Sequence, residues 1–133
     1  RSLDQLLAEA DFVVIVVPLS DATRKLISSR ELKLMKPSAF LINIARGPVV
    51  DEAALIEALQ NGTLRGAGLD VYEKEPLSDS PLFKLPNALT LPHIGSATAE
   101  TREAMANRAI DNLRAALLGE RPRDLVNPQV WKG

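Results

Sequence analysis

The run Phe12-Val13-Val14-Ile15-Val16-Val17, closed by Pro18, restricts the possible folds more than any other segment of this chain. Its β-branched side chains favour extended backbone, and it falls far short of the roughly 20 residues that span a bilayer. With no polar alternation, it predicts a strand buried on both faces, the habit of parallel sheets covered by helices. It is also too apolar to be a comfortable sheet edge. The strand therefore calls for a neighbour that the rest of the chain does not supply.

Around it, helix and strand signals alternate. Ser2 with Gln5, and Ser28 with Glu31, fit capping boxes, in which hydroxyl and side-chain carbonyl satisfy free amides at a helix start. The first predicts a short helix carrying Leu3, Leu6, Leu7 and Ala10. The second predicts a helix that runs to about Lys36, before Pro37. Ala39–Ile44 is a second apolar run and a second strand. Asp51 caps a helix with Ala54, Leu55, Ala58 and Leu59 on one face, stopped at Asn61-Gly62. Gly66–Val71 reads as a weaker strand, and Ala88–Leu91 as a fourth, with a Pro-rich loop between them. Thr98 caps the longest helix, where Met105, Ala109, Leu113 and Leu117 share a face reserved for core or interface. The polar tail from Glu120 carries no predicted element. There is neither an internal repeat nor a low-complexity segment.

Four alternations of strand and helix predict an α/β layer: about four parallel strands with covering helices, the second half of a doubly wound sheet. The chain has 133 residues, one domain's worth. Lys and Arg number 16 against 17 Asp and Glu, so no basic footprint for nucleic acid exists. Cysteine is absent, which excludes disulfides, thiolate metal sites and a Cys nucleophile; no metal site is expected.

In open parallel sheets, ligands bind outside the carboxyl ends of the strands. After the first predicted strand comes Pro18, after the second Ala45-Arg46-Gly47, and after the third Asp70, Glu73 and Glu75. After the fourth comes His93, the single histidine, with Gly95-Ser96. Histidine titrates near neutral pH, and a carboxylate within hydrogen-bond reach favours its protonated form. Such a pair suits a general acid that hands a proton to a developing alkoxide. An arginine fork binds a carboxylate or polarises a carbonyl. Converging, these groups describe reduction of a carbonyl next to a carboxylate, with the hydride drawn from a cofactor.

Asn43-Ile44-Ala45-Arg46-Gly47, Gly66-Ala67-Gly68-Leu69-Asp70-Val71-Tyr72-Glu73-Lys74-Glu75-Pro76 and Leu91-Pro92-His93-Ile94-Gly95-Ser96-Ala97-Thr98 resemble the signatures of the NAD(P)-dependent D-isomer-specific 2-hydroxyacid dehydrogenases. Val126-Asn127-Pro128 resembles the family's C-terminal return segment. Within the family, the chain is most similar to glyoxylate/hydroxypyruvate reductases and 2-ketogluconate reductases. The resemblance implies that Arg46 holds the substrate, His93 is the proton donor, and Glu75 pairs with His93. It implies cofactor contacts, to NAD or NADP, from Pro18, Ile44, Ala45, Arg46, Asp70, His93, Gly95 and Ser96. It also implies a 2-oxo or 2-hydroxy acid substrate, a cytoplasmic location, and a homodimer of the full-length parent without nucleic-acid or membrane partners.

The family's Gly-x-Gly-x-x-Gly phosphate loop is missing, since Gly66-x-Gly68 lacks a third glycine and sits in a strand. With an opening at Arg1-Ser2-Leu3, directly on a helix, the expectation is a C-terminal fragment, inactive alone. Residues 1–119 would be the later part of a dinucleotide-binding domain, and 120–133 a tail returning toward a substrate domain. The alternative is an NAD(H)-sensing, corepressor-like binding protein of the same fold.

Overall fold

In the computed structural model, which describes residues 1–131, the elements alternate as expected. They form two compact units, one of Arg1–Gly95 and a second that begins at Ser96. In the first unit, strands β1 (Phe12–Ile15), β2 (Phe40–Asn43), β3 (Gly66–Leu69) and β4 (Ala88–Thr90) pair in parallel, in the order β1-β2-β3-β4. Helix α1 (Leu3–Glu9) precedes β1, α2 (Ser29–Leu34) connects β1 to β2, and α3 (Glu52–Gln60) connects β2 to β3. Each strand is shorter than its apolar run, because pairing ends where the chain turns toward the next helix.

The caps follow local chemistry. Ser2 Oγ accepts the Gln5 N–H at 3.3 Å while Gln5 Oε1 accepts the Ser2 N–H at 3.1 Å, and Asp51 Oδ1 accepts the Ala54 N–H at 3.2 Å. Leu7, Leu32, Leu55 and Leu59 from the helices join Val13, Ile15, Leu41, Ala67 and Leu69 from the sheet in one core. A fully buried leucine contributes on the order of 2 kcal/mol, so this cluster holds the unit together.

One expectation fails here. β1 is buried on one face only: Val13 and Ile15 are inside, while Phe12 is 66 % and Val14 50 % exposed. The register extends this bare face across Phe12, Phe40, Val14, Ile42, Gly68 and Leu89. The cause is topological. A strand order that never reverses, with crossovers of one hand, sends every connection over the same side of the sheet. On the open side Phe12 and Phe40 stack on each other, ring centroids 5.4 Å apart, and Arg65 lies over the Phe40 ring.

In the second unit, helix α4 (Ala99–Leu117) begins at Thr98, whose Oγ1 accepts the Thr101 N–H at 3.2 Å. The helix buries none of its residues, so Met105, Leu113 and Leu117 are exposed rather than core. The tail is fastened to it by Asp124, which pairs with Arg108 and accepts from Asn112 Nδ2 at 2.7 Å. A 3₁₀ turn at Pro128–Val130 stands where the sequence predicts no element.

Candidate active site at the carboxyl ends of the strands

β2 ends at Asn43, which is 1 % exposed and shapes the turn that follows. Its Oδ1 accepts the Ala45 N–H at 3.1 Å and its Nδ2 donates to the Arg46 carbonyl at 3.1 Å. Arg46 thus leaves the sheet on a fixed turn with an exposed side chain, and its Nη1 donates to the Ala45 carbonyl at 2.6 Å. Gly47 then presses on the loop after β3. A Cβ there would lie 1.8 Å from the Tyr72 carbonyl carbon, so only glycine fits.

Directly after β3 comes Asp70, which is buried, with both carboxylate oxygens engaged. Oδ1 accepts the Ile94 N–H and Oδ2 the Gly95 N–H, each at 2.8 Å. These donors directly follow His93, whose φ is +53°. For a side-chain-bearing residue that left-handed conformation costs on the order of 1–2 kcal/mol, and the two charge-assisted bonds offset it. Tyr72, also buried, donates its hydroxyl proton to the Leu91 carbonyl at 2.7 Å and so ties the two loops together.

Glu75 completes the site. Its Oε2 lies 2.6 Å from His93 Nδ1, and its Oε1 accepts the Tyr72 N–H at 3.0 Å. The carboxyl is held below the usual range, first by the His93 hydrogen bond, then by the Tyr72 N–H and the His93 and Arg46 charges, with burial opposing. An ionised carboxylate only accepts, so Nδ1 carries the proton and Nε2 is left for chemistry.

Two cavities open here. One of about 470 Å³ is lined by Glu75 and His93 together with Tyr72, Pro76, Leu77, Phe83 and Leu91. The other, of about 580 Å³, lies at the ends of β1 and β2 and is lined by Val16, Val17, Pro18, Leu19, Ile44, Ala45 and Arg46. The second therefore gathers Pro18, Ile44, Ala45 and Arg46, four of the expected cofactor residues. Gly95 is exposed on the His93 loop, and Ser96 is exposed at the start of the second unit. Glu73 stands apart from the histidine, exchanging backbone caps with Glu52. Asn43 and Tyr72 escaped the sequence reading as site residues. Their partners are backbone groups, and only burial of a polar side chain beside the arginine turn would have marked Asn43. Among the described residues, no group of acids and histidine is arranged to hold a metal.

The family model for the NAD binding domain of D-isomer specific 2-hydroxyacid dehydrogenases matches residues 1–95. Glyoxylate/hydroxypyruvate reductase B of Serratia proteamaculans is 63% identical over 131 residues, which cover 98% of this chain and 40% of that protein. The reductase B of Pectobacterium carotovorum is likewise 63% identical, with 98% of this chain and 41% of that protein covered. The chain thus spans about two fifths of the length of the relatives it matches. A crystal structure from Thermus thermophilus superposes with a TM-score of 0.88 at 51% identity, covering 92% of this chain and 40% of that one. The NADPH-dependent glyoxylate/hydroxypyruvate reductase of Sinorhizobium meliloti, in complex with NADP and malonate, gives 0.82 at 44% identity, covering 86% and 36%.

Proposed function

Because the chain belongs to the D-isomer specific 2-hydroxyacid dehydrogenase family, we propose that it carries the reacting residues of an oxidoreductase acting on small 2-oxo acids of the glyoxylate or hydroxypyruvate type. The observation that carries this reading is the Glu75–His93 pair at the strand ends, within range of the Arg46 charge. NAD or NADP, when bound, supplies the hydride, which no side chain can.

The chain's own residues divide the remaining work. Arg46 binds the substrate carboxylate and draws charge toward the carbonyl oxygen. His93 holds its proton at Nε2 and passes it to that oxygen during reduction; in oxidation Nε2 takes the proton back. Glu75 fixes the imidazole through Nδ1, which leaves Nε2 as the atom that carries the proton of this step. The cleft of Pro18, Ile44, Ala45 and Arg46 fits a flat, partly apolar cofactor at the ends of β1 and β2. Asp70 and Gly95 flank His93 on the nicotinamide side of this reading, and Ser96 follows Gly95 in the chain. No Gly-x-Gly-x-x-Gly loop lies within these 133 residues, so they offer no grip on a pyrophosphate, and the chain alone is expected to be inactive. Family membership also favours a cytoplasmic homodimer, and no helix among the described residues is long and apolar enough to cross a membrane.

The test is oxidation of NADH or NADPH by the intact protein, with glyoxylate or hydroxypyruvate as acceptor. Turnover with either acid bears out the reading. No turnover with either, at saturating concentrations of both cofactors, overturns it.

A further inference from the structure

We propose that Asn43 is a positioning residue for Arg46: its buried amide clamps the backbone turn from which the substrate-binding guanidinium projects. Arg46 is exposed, and its guanidinium bonds the carbonyl of the adjacent Ala45, so precision in its placement comes from the backbone of this turn. That backbone is held on two sides. From below, Asn43 accepts from the Ala45 N–H and donates to the Arg46 carbonyl, both at 3.1 Å. From the side, Gly47 abuts the Tyr72 carbonyl with no room for a methyl group.

The amide orientation is dictated rather than free. Ala45 N–H can only donate and the Arg46 carbonyl can only accept, so Oδ1 faces one and Nδ2 the other. No other side chain of this length presents both an acceptor and a donor: aspartate would set an oxygen against the Arg46 carbonyl, and leucine would leave both groups unpaired. Asn43 is also anchored to the sheet, where its own carbonyl accepts the Asp70 N–H at 3.0 Å. The turn carrying Arg46 is thereby referenced to the strand that leads to Asp70 and Glu75.

This inference rests on the reading that Arg46 binds the substrate carboxylate, and the experiment separates their failures. In the intact protein, Asn43→Ala, Arg46→Ala and the double variant are compared by kcat and KM for glyoxylate. A displacement near 1 Å of a binding group lowers kcat/KM by about 100-fold. The expected result is a loss of about that size in Asn43→Ala, expressed mainly in KM for glyoxylate, with no further loss on the Arg46→Ala background. A normal KM in Asn43→Ala, beside a damaged Arg46→Ala, overturns the positioning role alone. Equal losses on both backgrounds also overturn it, since they mean general damage. A normal KM in Arg46→Ala sinks the reading of Arg46 itself and the inference with it.

Should the alanine variant fail to fold, Asn43→Asp keeps the volume and the Ala45 contact but loses the donor, and is expected to raise KM in the same way. Hydrogen exchange needs no turnover. The Ala45 amide proton is expected to be protected in the wild type and in Asn43→Asp, and rapid exchange in the wild type overturns the clamp.

Discussion

Glu75 grips His93 with one oxygen, Oε2 to Nδ1 at 2.6 Å, while its other oxygen is fixed by the Tyr72 N–H at 3.0 Å. A carboxylate held at both ends cannot turn away, so the imidazole keeps one orientation and one tautomer. Glu75→Gln removes the charge and keeps the shape. The expected outcome is a fall in kcat/KM of about 100-fold with an unchanged circular dichroism spectrum. Wild-type turnover would leave the pair without a catalytic purpose.

Acid stability follows from Glu31. Its carboxyl is pulled from 4.5 to about 2, first by the Ser28 hydroxyl, then by the Arg30 guanidinium and the Ser28 N–H, with burial opposing. A carboxyl with a depressed folded-state pKa contributes stability above its unfolded value and loses it as pH falls through the folded one. The contribution is therefore complete above about pH 4.5 and drains away toward pH 2. Glu31→Gln is expected to cost about 1–2 kcal/mol at neutral pH and to flatten stability across that interval. Urea denaturation at several pH values measures both effects, and an unaltered acid slope would count against the assignment.

Asp70 is expected to matter through the loop it holds. Asp70→Ala leaves the Ile94 and Gly95 amides unpaired and releases the left-handed turn at His93. The predicted cost is about 1–3 kcal/mol, read from the denaturation midpoint, with kcat falling alongside. Loss of stability with undiminished kcat would show that His93 keeps its place without this carboxylate.

The alternation of elements was legible because its signals are local. Ser2, Asp51 and Thr98 each accept from an amide three residues on, Ser28 bonds the Glu31 carboxylate three residues on, and the apolar runs outline every strand. The Glu75–His93 pair was legible because parallel strands deliver their loops to one end of a sheet, the end at which Arg46 also follows β2. The bare sheet face was not legible. The apolar character of Phe12 and Val14 records what these side chains favour, and the covering they call for does not lie among helices that all pass over the other side. Asn43 was hidden for a different reason, since its bonds close within its own turn and leave no spacing pattern.

The uncovered face has a measurable consequence. Phe12, Val14 and Leu89 are each at least half exposed on one surface of a sheet in which, among the described residues, β1 is an edge strand. Contiguous apolar surface and open strand edges promote association. The chain on its own is expected to associate as its concentration rises in light scattering, and Phe12→Lys with Leu89→Lys to reduce this. A wild-type monomer at every concentration would contradict the expectation.

The most direct measurement is the turnover of glyoxylate by the intact protein carrying Arg46→Ala or His93→Ala, beside the wild type and with folding checked by circular dichroism. With Arg46 proposed as the substrate fork and His93 as the proton donor, kcat/KM is predicted to fall by about 100- to 10,000-fold in each folded variant. Turnover close to wild type in both variants would contradict the assignment of Arg46 and His93 as the reacting pair.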